Sequence, residues 1–295
     1  MQLKHMLYIK YLSHLIWIFL VILFLLSSEI NSFVFVILIF LSAVFIYARF
    51  IEPNLIRIKK YKINFKKNKT KIVVISDLHL GVYKGSIFLQ RVVKKINKIN
   101  PDIVLIAGDL TFEIKRKDLY AKFSSLKKIK APVYTVLGNH DFHNKLNITD
   151  DLKKVLNNFK ITLIDNKIKK IKVKNNLITL IGLECFSNGS IDYSLLKEVG
   201  DNDISIVLTH NPDLVCDFPR NNKIDLVISG HTHGGQIRIP FLYKKVMKKT
   251  IAMRYSFNTG FYNINNTKVF VSSGLGEVIL PMRFLIPPEI SVLEI

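Results

Sequence analysis

The chain predicts an α/β fold set behind an apolar N-terminal region. Three observations predict it. Short β-branched runs alternate with segments of helical period, the pattern of strands interleaved with helices. Five of those runs stop abruptly on Asp, His or Asn. Two long apolar stretches fill most of the first 50 residues.

Taken in order, the first apolar stretch is unbroken over residues 15–26 and reaches back to Leu7 if Lys10 and His14 are tolerated. Lys10 can snorkel to the interface. The second stretch covers 33–48 and is interrupted only by Ser42. Each is at the short end for a span of about 20 residues. The polar segment Ser27-Ser-Glu-Ile-Asn-Ser32 joins them, so a transmembrane hairpin over 1–52 is predicted. A signal peptide is the alternative, because a basic start and an apolar core are present. Against it, no small-x-small cleavage site follows, a second apolar run does, and there is no twin arginine. Lys4 and Lys10 precede the hairpin, nine Lys and Arg follow it between Arg49 and Lys71, and the turn carries only Glu29. The positive-inside rule then places both termini in the cytoplasm, with the rest of the chain at the inner face of the cytoplasmic membrane. Residues 53–71 read as a basic juxtamembrane linker attracted to anionic lipid, or equally as a solvated connector.

From residue 72 to 295 the sequence reads as one domain. Helical period appears over 87–99, with Phe88, Val92, Val93 and Ile96 on one face, and again over 119–129 and 151–159. Strand character appears at 71–76, 102–107, 132–137, 177–183, 203–209, 224–229 and 268–272. Sheets covered by helices satisfy this order.

The five abrupt stops carry the chemistry. They are Asp77-Leu-His79, Gly108-Asp109, Gly138-Asn139-His140-Asp141, His210-Asn211 and Gly230-His231-Thr-His233. A single Asp or His after a strand is ordinarily a turn residue or a cap. Here five of the 8 histidines share that address, which turns or caps alone do not explain. Ligands of open α/β sheets bind outside the carboxyl ends of the strands. Oxygen and imidazole donors gathered there suit Zn, Mn and Fe. A lone carboxylate such as Asp109 has two oxygens and can bridge two ions, and paired metals about 3.5–4 Å apart clamp a phosphoryl group and activate water. Asn139 adds a neutral carbonyl oxygen, which limits the negative charge a phosphate must approach. The glycines at 108, 138 and 230 permit tight turns beside such ions.

In order and spacing these motifs resemble those of the calcineurin-like metallophosphoesterases over roughly 71–295. Gly-His-Thr-His-Gly-Gly-Gln at 230–236 and Pro287-Pro-Glu-Ile290 are similar to the membrane-associated branch of that family. The resemblance implies two packed mixed β-sheets flanked by helices, with two divalent metals at one edge, Mn favoured over Fe or Zn. It implies that Asp77, His79 and His233 hold the first metal, that Asn139, His210 and His231 hold the second, and that Asp109 bridges them. His140 would face the substrate, stabilising the transition state or protonating the leaving oxygen, and Asp141 would orient its ring. None of these positions is missing. The stretch Gly182-Leu-Glu-Cys-Phe186 is less typical and leaves the outer pocket wall undefined. Some similar enzymes cleave the diphosphate of UDP-2,3-diacylglucosamine in lipid A synthesis, releasing UMP and a lipid phosphate. That makes a lipid-linked phosphate ester a candidate substrate and membrane lipid a candidate partner.

Composition narrows the alternatives. The net charge of +21 invites a nucleic-acid reading. However, the basic residues are mostly Lys, spread through loops and helices alike, with no nucleic-acid-binding motif. A nuclease or general phosphodiesterase therefore stands as a second reading, and a membrane-tethered, non-catalytic metal-binding module as a third. Cys185 and Cys216 form no C-x-x-C pair and read as small buried hydrophobes. Arg238, Arg254 and Arg283 are candidates for a second phosphate, because a guanidinium fork matches phosphate oxygens. The blocks Phe241-Leu-Tyr-Lys-Lys-Val-Met-Lys-Lys249 and Met282-Arg-Phe-Leu-Ile-Pro287 fit either a membrane-facing rim or ordinary surface loops, with the surface loop favoured for the first.

Overall fold

A computed structural model of the chain describes residues 31–63, 65, 70–142, 147–186, 190–200, 203–241, 243 and 257–295, together with 11, 18, 20–22, 24 and 25. Its strands are β1 (Arg57–Lys62), β2 (Lys71–Ile75), β3 (Leu80–Gly81), β4 (Ile103–Ala107), β5 (Thr111–Phe112), β6 (Val133–Val136) and β7 (Ile161–Leu163). They continue as β8 (Lys167–Val173), β9 (Asn176–Gly182), β10 (Ile204–Leu208), β11 (Leu226–Ser229), β12 (Gly260–Ile264), β13 (Thr267–Val271) and β14 (Glu289–Glu294). The helices are α1 (Ser32–Ile46), α2 (Ser86–Ile99), α3 (Leu119–Phe123), α4 (Asn139–Phe142) and α5 (Thr149–Asn158).

Two six-stranded mixed sheets form, ordered β1-β14-β2-β4-β6-β7 and β12-β13-β11-β10-β9-β8. In the first, β2, β4, β6 and β7 run parallel. In the second, β9, β10, β11 and β13 run parallel. The pleat explains why both faces of these strands are apolar. Val73, Ile75, Val104 and Ile106 point to the helix side with Phe88, Leu89 and Val92 of α2. Ile72, Val74, Ile103 and Leu105 point the other way and meet Ile206, Leu208, Leu226 and Ile228 between the sheets. Val207, Val227 and Val269 cover the outer face of the second sheet with Leu214, Val215 and Phe218. Strands buried on both faces read as continuous apolar runs, which is why they were visible in the sequence. Helix α2 buries its expected face and ends at Asn100, in the left-handed region (φ 52°), just before Pro101.

Two expectations change. Residues 53–71 are not simply a connector, since Arg57–Lys62 is the edge strand β1, paired in parallel with β14. Tyr61 fixes it: its hydroxyl donates to Glu289 Oε1 at 3.0 Å, and its ring meets Phe270 edge-on. The lysines that suggested a tether are the residue type that keeps an exposed edge from pairing with another chain. The membrane expectation is narrowed to one described helix. Helix α1 continues through a π turn (Tyr47–Ile51) and a 3-10 turn (Glu52–Asn54), so the apolar helical segment Ser32–Asn54 is 23 residues long, about 35 Å at the helical rise and enough to cross a bilayer core. Asn31 starts it by accepting the Phe33 N–H at 2.9 Å. The ring of Phe24 stacks on Phe35 with centroids 5.2 Å apart. Most of the first apolar run and its turn lies outside the described residues, as do most of 241–249, Arg254 and His143.

Candidate metal centre

The carboxyl ends of β2, β4 and β6 in one sheet, and of β10 and β11 in the other, open at the same edge of the sandwich. Backbone bonds tie these ends together. Asp77 N–H donates to Gly108 O at 3.0 Å, and Gly230 N–H donates to His210 O at 3.1 Å. The turns are tight, with positive φ at Asp77 (50°), His79 (43°), Asp109 (51°), His231 (71°) and His233 (51°). Five non-glycine residues in a sparsely populated region at one edge mark stored strain, and such strain clusters at functional sites. Glycine is required where the donors close in. A Cβ on Gly230 would lie 2.6 Å from Asp77 Oδ2, and one on Gly138 would overlap the Asp109 carboxylate.

Two donor sets result. Asp77, His79 and His233 gather in one, all buried. His79 Nε2 lies 3.0 Å from His233 Nε2, and His233 Nε2 lies 3.5 Å from Asp77 Oδ1. Asp109, His210 and His231 gather in the other. There His210 Nε2 lies 3.1 Å from Asn139 Oδ1, 3.1 Å from His231 Nδ1 and 3.2 Å from Asp109 Oδ2. The same Asp109 oxygen is 3.5 Å from His79 Nε2, so it stands between the sets. All seven expected ligand positions are thus brought together.

The protein does not satisfy these atoms by itself. Among the described residues, His79 Nδ1 and His233 Nδ1 are buried without a hydrogen-bond partner, and their Nε2 atoms face each other. Beyond that contact, the two Nε2 atoms have only carboxylate oxygens of Asp109 and Asp77 at 3.5 Å among the described residues. His210 Nδ1 is 2.9 Å from Ala107 O. With Nδ1 donating there, Nε2 faces the Asn139 and Asp109 oxygens, which draw a proton or another cation to it. The local electrostatics point the same way. Burial acts to lower the His210 pKa, but the Asp109 carboxylate outweighs it and holds the imidazole up at about 9. Burial likewise acts to raise Asp109, and the neighbouring His210 and His140 rings keep it well below the usual carboxylate range. Burial pushes Asp77 up to about 7, with Asp109 adding to the rise. Burial also lowers His79 to about 3 and His231 to about 4, and it holds His233 well below the usual imidazole range, leaving neutral rings. Neutral imidazoles and carboxylates that draw positive charge are a donor set for divalent cations.

His140 sits at the rim, partly exposed, with its backbone N–H on Asp109 Oδ1 at 2.9 Å and its ring edge-on to His79 and Phe112. Asp141 does not orient that ring. Its Oδ1 accepts from Thr111 N (2.8 Å) and Thr111 Oγ1 (2.8 Å), and its Oδ2 from Leu110 N (3.1 Å) and Gly138 N (3.0 Å). It braces the two loops that carry Asp109 and Asn139. Arg283 also departs from expectation. It is fully buried, and its guanidinium donates to the carbonyls of Ser273, Gly276 and Ile286. Arg238 donates to Gly234 O and to Asn258 Oδ1. The segment 272–277 was not singled out in the sequence, yet it supports Asp77, with Gly276 N–H donating to Asp77 O at 2.6 Å. Its Ser-Ser-Gly-Leu-Gly composition resembles any turn.

The calcineurin-like phosphoesterase family model matches residues 70–235, which hold every one of these donors. The uncharacterized metallophosphoesterase YkuE of Bacillus subtilis is 33% identical over 83% of this chain and 87% of its own length. A zebrafish protein named as a transmembrane protein with metallophosphoesterase domain is 29% identical over 76% of this chain and 52% of its own length. The chain also spans only 59–60% of three further bacterial relatives. A crystal structure of a protein from Thermus thermophilus aligns with 70% of this chain and 91% of its own, at 13% identity and a TM-score of 0.49. Metallophosphoesterases use a dinuclear divalent metal site, and the two donor sets joined by Asp109 match that requirement. The chain belongs to the calcineurin-like phosphoesterase family and is a metal-dependent phosphoesterase.

Proposed function

We propose that the protein is anchored in a membrane by its N-terminal helix and hydrolyses phosphodiester or diphosphate bonds of a lipid-linked substrate. The observation that carries the reaction class is the convergence of two unsatisfied donor sets on a shared Asp109 oxygen. Bound there, two divalent ions (Mn favoured, Fe or Zn also matching the donors) supply neutralisation of phosphoryl charge and activation of water. Asp77, His79 and His233 would hold one ion, Asn139, His210 and His231 the other, and Asp109 both. The His140 imidazole, at the rim, donates a proton to the leaving oxygen. Asp141 keeps the Asp109 and Asn139 loops in register.

The helix Ser32–Asn54 supports the membrane reading. Lys and Arg on both flanks of the apolar region favour a catalytic domain on the cytoplasmic side. A lipid substrate gains from such tethering, because it meets the site at raised effective concentration. UDP-2,3-diacylglucosamine is the first lipid-linked diphosphate to test. The purified full chain with Mn²⁺ is offered a phosphomonoester, a phosphodiester, UDP-2,3-diacylglucosamine and its deacylated analogue. Metal-dependent release of UMP, faster from the acylated compound, is expected. Equal rates on the two would contradict lipid recognition. Turnover that falls steeply with salt on nucleic acid would favour the nuclease reading. No metal-dependent turnover on any substrate would favour the non-catalytic module.

A further inference from the structure

The helix Ser32–Asn54 does not end in a hinge. Arg283 N–H donates to Ala48 O at 2.9 Å. Both oxygens of Glu52, itself fully buried, accept backbone N–H groups, one from Leu285 at 2.9 Å and one from Ile286 at 2.5 Å. Lys84 Nζ donates to Pro53 O at 2.6 Å. The loop 278–286 is therefore clamped beside the last turns of the helix, level with Ala48. Ala48 lies six residues before Asn54, roughly 9 Å along the axis at the helical rise. Its neighbours are Tyr47 and Arg49. Tyr is enriched at membrane–water boundaries, and Arg there keeps its charge at the interface. The loop thus stands at the depth where the helix itself leaves the apolar phase.

The side chains of the loop fit that depth. Ile279, Leu280 and Leu285 are 49%, 39% and 51% exposed. Ile239 and Phe241, 48% and 100% exposed, extend the same surface. The two segments are joined through Arg238 N–H to Phe284 O (2.9 Å) and Phe284 N–H to Gln236 O (3.0 Å). Ile279, Leu285 and Phe241 hold positive φ of 62°, 58° and 66°. That region is sparsely populated, and for a β-branched residue such as Ile279 it is an outlier. Burial within the fold does not explain three strained residues whose apolar side chains point outward. The rim is also continuous with the site. Gln236 follows His233 by three residues, and its amide accepts from Val278 N and donates to Val278 O and Leu280 O.

We infer that loop 278–286, with Ile239 and Phe241, lies in the headgroup–acyl boundary of the bilayer that the helix crosses, so that the metal-bearing edge opens at the lipid surface. This rests on the reading of Ser32–Asn54 as a membrane span. It goes beyond an anchor, because a tether alone would leave the domain free to turn.

The test uses the full chain in lipid nanodiscs, with a solvent-sensitive fluorophore placed one at a time by Ile279→Cys, Leu280→Cys and Leu285→Cys. Val36→Cys reports on the helix and Leu177→Cys, on β9, on a water-exposed surface. The unsubstituted chain, labelled in parallel, gives the background from Cys185 and Cys216. An unchanged thermal midpoint confirms that each variant folds, and Leu280, whose φ is ordinary, covers the case in which the strained positions do not tolerate a label. Quenching by spin-labelled lipid and protection from iodide are expected at the three rim positions and at Val36, with the reverse at Leu177. Rim probes that behave like Leu177 while Val36 is quenched would overturn the inference and leave the anchor standing. An unquenched Val36 would overturn both. Rim probes shielded from iodide but not quenched by lipid would place a protein surface there, such as a second copy of the chain, and would also overturn it.

Discussion

Around Arg283 the buried charges have partners, whereas around Asp109 they face one another. All three guanidinium nitrogens of Arg283 reach backbone carbonyls, both Glu52 oxygens accept backbone N–H groups, and Lys84 pairs with Glu277 at 3.0 Å. A few residues away, the Nε2 atoms of His79 and His233 face each other, and that of His210 faces the oxygens of Asn139 and Asp109. Both clusters are buried and rich in charge, and the sequence suggested ligand-facing roles in both. The difference is satisfaction. A buried charge that the backbone has neutralised holds the fold, whereas a set of buried donors that the fold leaves facing one another is built for something it does not contain.

The largest expected effect is on the unsatisfied side. Asp109→Asn keeps the shape but removes the charge shared by both sets, so turnover should fall to background with the circular dichroism spectrum unchanged. A fully active variant would break the comparison. Next, His140→Ala should lower kcat by about 10²–10⁴-fold while the metals stay bound, because the ring is expected to act on the substrate. The loss should shrink for substrates with good leaving groups, and an emptied metal site would show that the ring serves binding instead. On the satisfied side, Arg283→Met leaves the carbonyls of Ser273, Gly276 and Ile286 without their donor. A loss of about 3–5 kcal/mol in urea unfolding is expected, with much less change in kcat per folded molecule.

The smallest effect concerns Asp165, whose carboxyl accepts the Leu137 N–H at 3.0 Å. Burial raises its pKa to about 7 despite that bond, and Glu184 adds to the rise. A carboxyl raised on folding favours the folded state fully below about pH 4 and loses that contribution as pH climbs through about 7. Asp165→Asn keeps an acceptor for Leu137 and cannot ionise. Its urea midpoint should therefore drop less than that of the unsubstituted protein between pH 5 and pH 8. An identical drop would show that Asp165 does not set that slope.

Much of this was legible in the sequence because apolar runs buried on both faces end sharply, and Asp77, Asp109 and His210 stand at those ends. Strand β1 was hidden because an edge strand protected by lysine has the composition of a linker. Arg283 was misleading because sequence does not distinguish an arginine that binds phosphate from one that caps carbonyls. The work of Asp141 was hidden for a similar reason: its position beside His140 suggested a contact with the ring, while the turn directs both of its oxygens to the amides of Leu110, Thr111 and Gly138.

The central claim is that two metal ions occupy the edge where both sheets end, joined by Asp109. Elemental analysis of the purified, folded protein after exchange into Mn²⁺ tests it most directly. The donor geometry predicts close to two ions per chain, with magnetic coupling between them in the paramagnetic resonance spectrum. A stoichiometry of one or zero, or two ions without coupling, would contradict it.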